Sequence, residues 1–309
     1  MAADPRALLQ KAEKAAAGAG GGFSFFGGRG EKWENAADLY TQAANAFRVQ
    51  KQSKRSGHSV TYQVLTCATD YEAGQAFEKA AAIQRDKLSE PGDMANTLTE
   101  CFKVYRKDSP QDAARVLQQA IQHYTASGNF RRAATHQQNL AEVYEVELGD
   151  QKSALQAYDL AAQWFESDNA EALANKLYLK VADLAALEAD YQTSIQKFEA
   201  VARSSINNNL MKWSVKDYFL KAGICHLAAN DTVATKRALQ QYTELDHTFP
   251  GTREFMLLND LVQAVEQGDP EAYSEKLFQF DQLSKLDKWK TTLLLRVKEN
   301  IQKEEEDFS

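Results

Sequence analysis

Proline and glycine are scarce in this chain, with five and fifteen among 309 residues. No segment sustains apolar–polar alternation, so strands have little to start from and a nearly all-α fold is expected. No run of about 18 or more apolar residues occurs, which argues against a membrane-spanning helix. Met1 to Gln10 carries an early acid and no apolar core of signal-peptide length, so a cytoplasmic location is expected. Cysteine is limited to Cys67, Cys101 and Cys225, each within a predicted helix, where a reduced, buried thiol is the simplest reading. The five histidines, at 58, 123, 136, 226 and 247, are scattered, with no HExxH, no Cys-x-x-Cys and no zinc spacing. A GxxxxGK[ST] loop is missing, and the G-x-G patterns within Gly18 to Gly30 follow no strand. No catalytic residue, metal or cofactor is therefore expected. The net charge of −7 argues against wholesale nucleic-acid binding, while leaving room for local basic rows.

What is abundant is a repeated helical face. Ala113, Leu117, Ala120, Ile121 and Tyr124 stand at i, i+4, i+7, i+8 and i+11, one side of an α-helix. The same template fits Ala36, Tyr40, Ala43, Ala44 and Phe47, and again Ala154, Tyr158, Ala161, Ala162 and Phe165. Looser fits are Ala73, Phe77, Ala80 and Ala81; Ser194, Phe198, Val201 and Ala202; and Ala238, Tyr242, Leu245 and Phe249. These starts recur about every 40 residues, the range of helical solenoids. Partner helices lie between them, as at 131–147, 172–186 and 215–229. Small alanines let helices approach while the aromatic fills the gap between layers. The expected fold is all-α, a tetratricopeptide-like right-handed helical-hairpin solenoid, that is, a twisted sheet of antiparallel helices. Residues 1–250 form this sheet. After Pro250-Gly251 the period is lost, and 251–303 should form a C-terminal helical bundle capping the exposed last interface. Within it, 286–302 carries the stripe Leu286, Trp289, Leu293, Leu294, Val297 and Ile301.

Three surfaces stand out. After a first helix over 5–17, residues 18–30 are too glycine-rich to hold a helix and present Phe23, Phe25 and Phe26. Aromatics flanked by glycine mark a contact with a protein or a bilayer, unless the loop folds back into a groove of the solenoid. Shifting by one repeat places Thr135, Lys176 and Lys216 at one equivalent site, with Lys180 a turn from Lys176 and Arg131 and Arg132 near Thr135. Such a row suits an acidic rod or helix bundle, or is a solvated face without a partner. Residues 304–309 form an acidic tail, Glu304, Glu305, Glu306 and Asp307, followed by Phe308 and Ser309. It either recruits a basic partner or is a frayed terminus. From the residues alone, a tetratricopeptide-like scaffold holding a peptide in its groove stays open as the alternative to an adaptor for a larger assembly.

Several words of sequence, with their spacing, resemble the soluble NSF attachment proteins, most closely the alpha type. They are Glu31-Lys-Trp-Glu-Asn-Ala-Ala-Asp-Leu-Tyr with Ala43-Ala-Asn-Ala-Phe47, Leu140-Ala-Glu-Val-Tyr144, Ala174-Asn-Lys-Leu-Tyr-Leu-Lys180, Lys216-Asp-Tyr-Phe219 and Leu286-Asp-Lys-Trp-Lys-Thr-Thr-Leu-Leu-Leu-Arg296. The resemblance runs through essentially the whole chain. It implies a non-enzymatic adaptor that coats assembled SNARE four-helix bundles of syntaxin-type helices and recruits the AAA ATPase NSF, N-ethylmaleimide-sensitive factor, for SNARE disassembly in membrane trafficking. By the same resemblance, Lys176, Lys180, Lys216 and Arg253 meet the acidic SNARE surface, with Arg131 and Arg132 in the neighbourhood. Thr135 departs from the basic residue of some members. Phe23, Phe25 and Phe26 correspond to a membrane-attachment loop, which implies a peripheral membrane location. Glu304, Glu305, Glu306 and Asp307 correspond to the acidic tail that meets the ATPase, and Phe308 stands where a penultimate leucine is usual.

Overall fold

The structure, a computed structural model, describes residues 4–21, 28–54 and 60–307, with the backbone alone over 51–54, 60–69 and 304–307. Every regular element among them is helical. Residues Met1–Ala170 form one compact unit and Glu171–Ser309 another. The first holds α1 (Pro5–Gly20), α2 (Gly28–Lys54), α3 (Val60–Ile83), α4 (Pro91–Asp108), α5 (Pro110–Ala126), α6 (Phe130–Glu142) and α7 (Gln151–Ser167). The second holds α8 (Glu171–Leu187), α9 (Tyr191–Ser205), α10 (Val215–Ala228), α11 (Thr232–Leu245), α12 (Arg253–Gln267), α13 (Pro270–Leu283) and α14 (Lys288–Asp307). Within each unit every helix packs on the next. Mostly short connections make successive helices antiparallel, which gives the helical-hairpin architecture that the periodicity predicts.

The few prolines are placed to start helices. Pro5, Pro91, Pro110 and Pro270 are the first residues of α1, α4, α5 and α13, where the missing N–H costs nothing. The connections repeat one device, a residue with positive φ followed by an N-cap. Gly149, Ala189, Asn230 and Gly268 take φ of 66°, 63°, 59° and 63°. Asp150, Asp190, Asp231 and Asp269 come next, and each side chain accepts from a backbone N–H of the following helix's first turn. These turns fix where each helix begins, so the buried face keeps its phase from one hairpin to the next.

That face is the expected one. All five residues of the 113–124 template and all five of the 154–165 template are buried, as are Ala36, Tyr40, Ala43, Ala44 and Phe47. Ala174, Leu177, Val181, Leu184 and Ala185 bury the matching side of α8. In the second unit the core runs from Ala182 to Ile301, with Phe219 stacked 4.3 Å from Tyr242 and edge-on to Phe249. Two helices end in a widened π turn, α3 through Gln84–Leu88 and α6 through Val143–Glu147. The second of these brings Glu145 to the Tyr158 hydroxyl and Glu147 to Arg106.

Some boundaries differ from the sequence reading. The glycine stretch 18–30 is not a loop throughout, since Gly18–Gly20 close α1 and Gly28–Gly30 open α2. Ala19 is buried there and the Trp33 ring lies against Gly20, so packing outweighs the glycine penalty. Leu245 ends α11 half exposed, and Phe249 is buried from a single 3-10 turn, not from the same helix. Asp246 turns extended, with φ −132° and ψ 99°, and its side chain accepts from the Thr248 N–H and hydroxyl, so the helix stops early. Leu286 precedes α14 instead of starting it, held by its N–H donating to Asp281. At the other end α14 continues to Asp307, beyond the expected stop at 302, as a run of strong helix formers allows. The Cys67 side chain lies outside the described residues.

Candidate partner-binding surfaces

The second unit carries four of the six candidate cations. Lys176 is exposed on α8, opposite the buried Ala174, Leu177 and Val181. Lys180 follows one turn later. It is one of the charges around Asp183, whose carboxyl is pushed up by burial while Lys221, 2.8 Å away, works against that push. Lys216 is exposed at the start of α10, and Arg253 is exposed as the first residue of α12. Because helices alternate in direction, α8, α10 and α12 run the same way, and Lys176, Lys216 and Arg253 occupy the same end of alternate helices. Glu254 brings two of them together: its Oε1 lies 3.0 Å from the Lys216 Nζ, and Arg253 is its chain neighbour. Arg253 also borders a depression of about 310 Å³ lined by Met256, Leu257, Asp260, Phe280 and Leu283.

Sequence reasoning missed an apolar element of this region. Leu210 is 90% exposed and Trp213 75% exposed on the connection between α9 and α10, just before Lys216. The signal was present in Asn207-Asn208-Asn209, where three poor helix formers precede Leu-Met-Lys-Trp and leave it without a helical face to join.

In the first unit, Arg131 and Arg132 begin α6 and both have internal partners. Arg131 pairs with Asp168, the residue just after α7, while staying largely open to solvent. Arg132 lies 4.7 Å from the Tyr124 ring centroid and donates to Asn96. The Thr135 hydroxyl donates to the Arg131 carbonyl. Phe23, Phe25, Phe26 and Phe308 lie outside the described residues, as do the side chains of Glu304, Glu305, Glu306 and Asp307. Gly21 and Gly28 bound the aromatic segment, so α1 and α2 set its two anchor points.

The described residues assemble no metal-binding group. Their thiols are poor nucleophiles: burial pushes Cys225 up to about 12, and Cys101, donating to the Gly74 carbonyl, is raised for the same reason. No helix among the described residues is long and apolar enough to cross a membrane.

A family model for soluble NSF attachment proteins matches residues 3–70 and 66–302. A Neurospora crassa protein described as a probable vesicular-fusion protein sec17 homolog is 49% identical over the full length of both chains. The alpha-soluble NSF attachment protein of Saccharomyces cerevisiae is 38% identical over 99% of each chain. The human alpha-soluble NSF attachment protein is 36% identical over 99% of this chain and 97% of its own. With the helical-hairpin array and a match along nearly its whole length, the chain belongs to the soluble NSF attachment protein family.

Proposed function

We propose that this chain is a non-catalytic adaptor that binds assembled SNARE four-helix bundles, recruits and stimulates the ATPase NSF, and so drives SNARE disassembly in vesicle fusion and membrane trafficking. The observation that carries the reading is the full-length family match on a scaffold that puts Lys176, Lys216 and Arg253 at one end of alternate helices. Cations spaced by helix packing suit a rod with carboxylates along its length, because they demand charge and not one sequence. The Lys216–Glu254 pair is exposed on the lysine side, so a carboxylate of the rod can compete for Lys216 at little cost. Leu210 and Trp213 add exposed apolar area on the connection that leads to Lys216. The helices after residue 250 serve as the closing bundle.

In this reading Phe23, Phe25 and Phe26 enter the bilayer that anchors the SNAREs, which raises the adaptor's effective concentration there. Glu304, Glu305, Glu306 and Asp307 meet basic residues of the ATPase, and Phe308 supplies an apolar anchor. The deciding experiment is a disassembly assay with purified SNARE complex, NSF and ATP, with and without this chain. Disassembly is expected only when the chain is present. No acceleration over the ATPase alone, at saturating adaptor, contradicts the proposal.

A further inference from the structure

We propose that a cationic cleft beside the start of α2 takes the phosphate of an anionic phospholipid headgroup. The proposal rests on the reading of the aromatic segment as lipid-attaching and adds a second, chemically different contact to it. The cleft holds about 500 Å³ and is lined by Gly20, Arg29, Gly30, Trp33, Asp86 and Lys87. The two depressions in the second unit are walled mainly by leucine, phenylalanine and methionine, whereas this one is walled by charge and backbone.

Its charges are arranged for an anion. Arg6, Arg48, Lys79, Arg106 and Arg115 of the same unit are each ion-paired to a carboxylate. Arg29 and Lys87 have no such pair among the described residues. Lys87 is carried by the widened turn Gln84–Leu88, and its Nζ lies 5.6 Å from the Trp33 ring centroid. The one acid in the lining, Asp86, is already engaged at both oxygens, with Arg85 Nε 2.7 Å from Oδ1 and Nη2 3.1 Å from Oδ2. An entering phosphate therefore meets two cations with no carboxylate at ion-pair distance and one acid, Asp86, whose charge Arg85 and Lys87 already offset. Gly30 has open space where a side chain would stand, so no side chain blocks the cleft at that point, while Glu31 in the same first turn of α2 is the one further acid set against the two cations.

Position selects a lipid over a free phosphate. Gly20 and Arg29 flank the segment that carries Phe23, Phe25 and Phe26. Phe25 is four residues from Gly21 and three from Gly28, so at most roughly 10–14 Å of chain joins it to either helix. Phenylalanines seated among acyl chains thus hold the cleft at headgroup depth.

The test is flotation of the full chain on phosphatidylcholine vesicles and on vesicles in which phosphatidylserine replaces about one fifth of the lipid. Each cation near an anionic surface is worth about fivefold in partition, so Arg29→Ala with Lys87→Ala should lower binding to the anionic vesicles roughly 30-fold. Binding to phosphatidylcholine alone should not change, and Arg29→Lys with Lys87→Arg should keep the preference. If the preference for phosphatidylserine survives loss of both cations, or if binding to both vesicles falls equally, the cleft is refuted. Phe25→Ser with Phe26→Ser, which should weaken binding to both compositions, then shows whether the aromatic reading stands by itself. A wild-type chain that ignores both vesicles overturns the aromatic reading and the cleft together.

Discussion

Gly74→Ala sets two well-defined effects against each other. Gly74 lies in the middle of α3, where helix propensity favours alanine by about 1 kcal/mol. Its missing side chain, however, is the space occupied by the ring of Tyr105 from α4. An added Cβ would stand 2.7 Å from the ring Cδ1 and closer still to Cε1 and Cζ. Overpacking of this kind costs about 1–3 kcal/mol. Tyr105 cannot swing aside freely, because it is buried and its hydroxyl donates to Glu78 Oε1 at 2.8 Å. Glu78 is itself fixed by Arg115, whose guanidinium donates to both carboxylate oxygens. Losing the Tyr105 bond to that charged group adds about 1.5–3 kcal/mol. Sterics should win, leaving a net loss of about 2–4 kcal/mol. In a urea titration followed by helical circular dichroism, this lowers the first unit's midpoint by about 1 M. Gly223→Ala is the matched control, since the atoms nearest its Cβ would be those of the Leu258 side chain, at 2.6 Å and 2.7 Å for the methyls. A leucine can change rotamer, so the cost there should be smaller. A Gly74→Ala midpoint at or above wild type, or a loss no greater than that of Gly223→Ala, would refute the reasoning.

Three further predictions follow from the second unit. Lys176→Glu with Lys216→Glu should cut pull-down of assembled SNARE bundles at moderate salt and leave helicity intact; unchanged capture contradicts the cationic face. Arg296 donates to the Ala186 and Leu187 carbonyls at the end of α8, at 3.0 Å and 2.8 Å, and Arg296→Ala should cost about 1–3 kcal/mol by urea denaturation. Glu199 governs part of the acid response. Burial pushes its carboxyl up, but His226, whose Nε2 lies 3.7 Å away, the Tyr242 hydroxyl donating at 2.8 Å and the Arg203 guanidinium donating at 2.7 Å outweigh burial and leave it below its usual range. A carboxyl lowered by folding stabilises the protein above its unfolded value, about 4.3, and that stability is lost as pH falls through the lower folded value. Glu199→Gln should therefore flatten the fall in melting temperature below about pH 4.3, and an identical acid slope removes Glu199 from the account.

The core was legible in the sequence because the packing unit is an alanine-rich face repeated at a fixed interval, and alanine positions survive every local disturbance. Lys176 and Lys216 were legible for the same reason, being one repeat apart. Boundaries were less so where a tertiary contact overrides a local preference, as where Trp33 covers Gly20 and α1 continues into glycine. The widened turns at Gln84–Leu88 and Val143–Glu147 have no residue signature, since what they achieve is to reach groups on other helices. Long-range partners hid the state of Arg131 and Arg132 as well. Asp168 and Asn96 stand 37 and 36 residues away, and no local pattern reveals that these cations are already engaged. Leu210 and Trp213 differ, since their only local signal is the run Asn207-Asn208-Asn209 that keeps them off a regular helical face.

The last helix ties the proposed surfaces of the second unit together. Lys290 of α14 is nearly buried, with Asp217 at 2.7 Å and Asp287 at 3.1 Å, and Asp217 is the chain neighbour of Lys216. Burial lowers the Lys290 ammonium, but the two carboxylates outweigh it and keep it charged and raised. Only the lysine is buried, the side chains of Asp217 and Asp287 being 41% and 50% exposed, so water screens each pair and the two carboxylates act together to hold Lys290 in place. Trp289 donates to the Asp183 carbonyl at 2.9 Å, and Arg296 closes the end of the same α8. These anchors all lie between Lys288 and Arg296, while the eleven residues from Val297 to Asp307 run on as unbroken helix for about 16 Å. A force on the acidic end is thus delivered to α8 and α10 through charge pairs and backbone bonds, with no hinge to absorb it. Those two helices carry Lys176, Lys180 and Lys216, so in the proposed adaptor the lysines and the tail are joined through one set of packed helices.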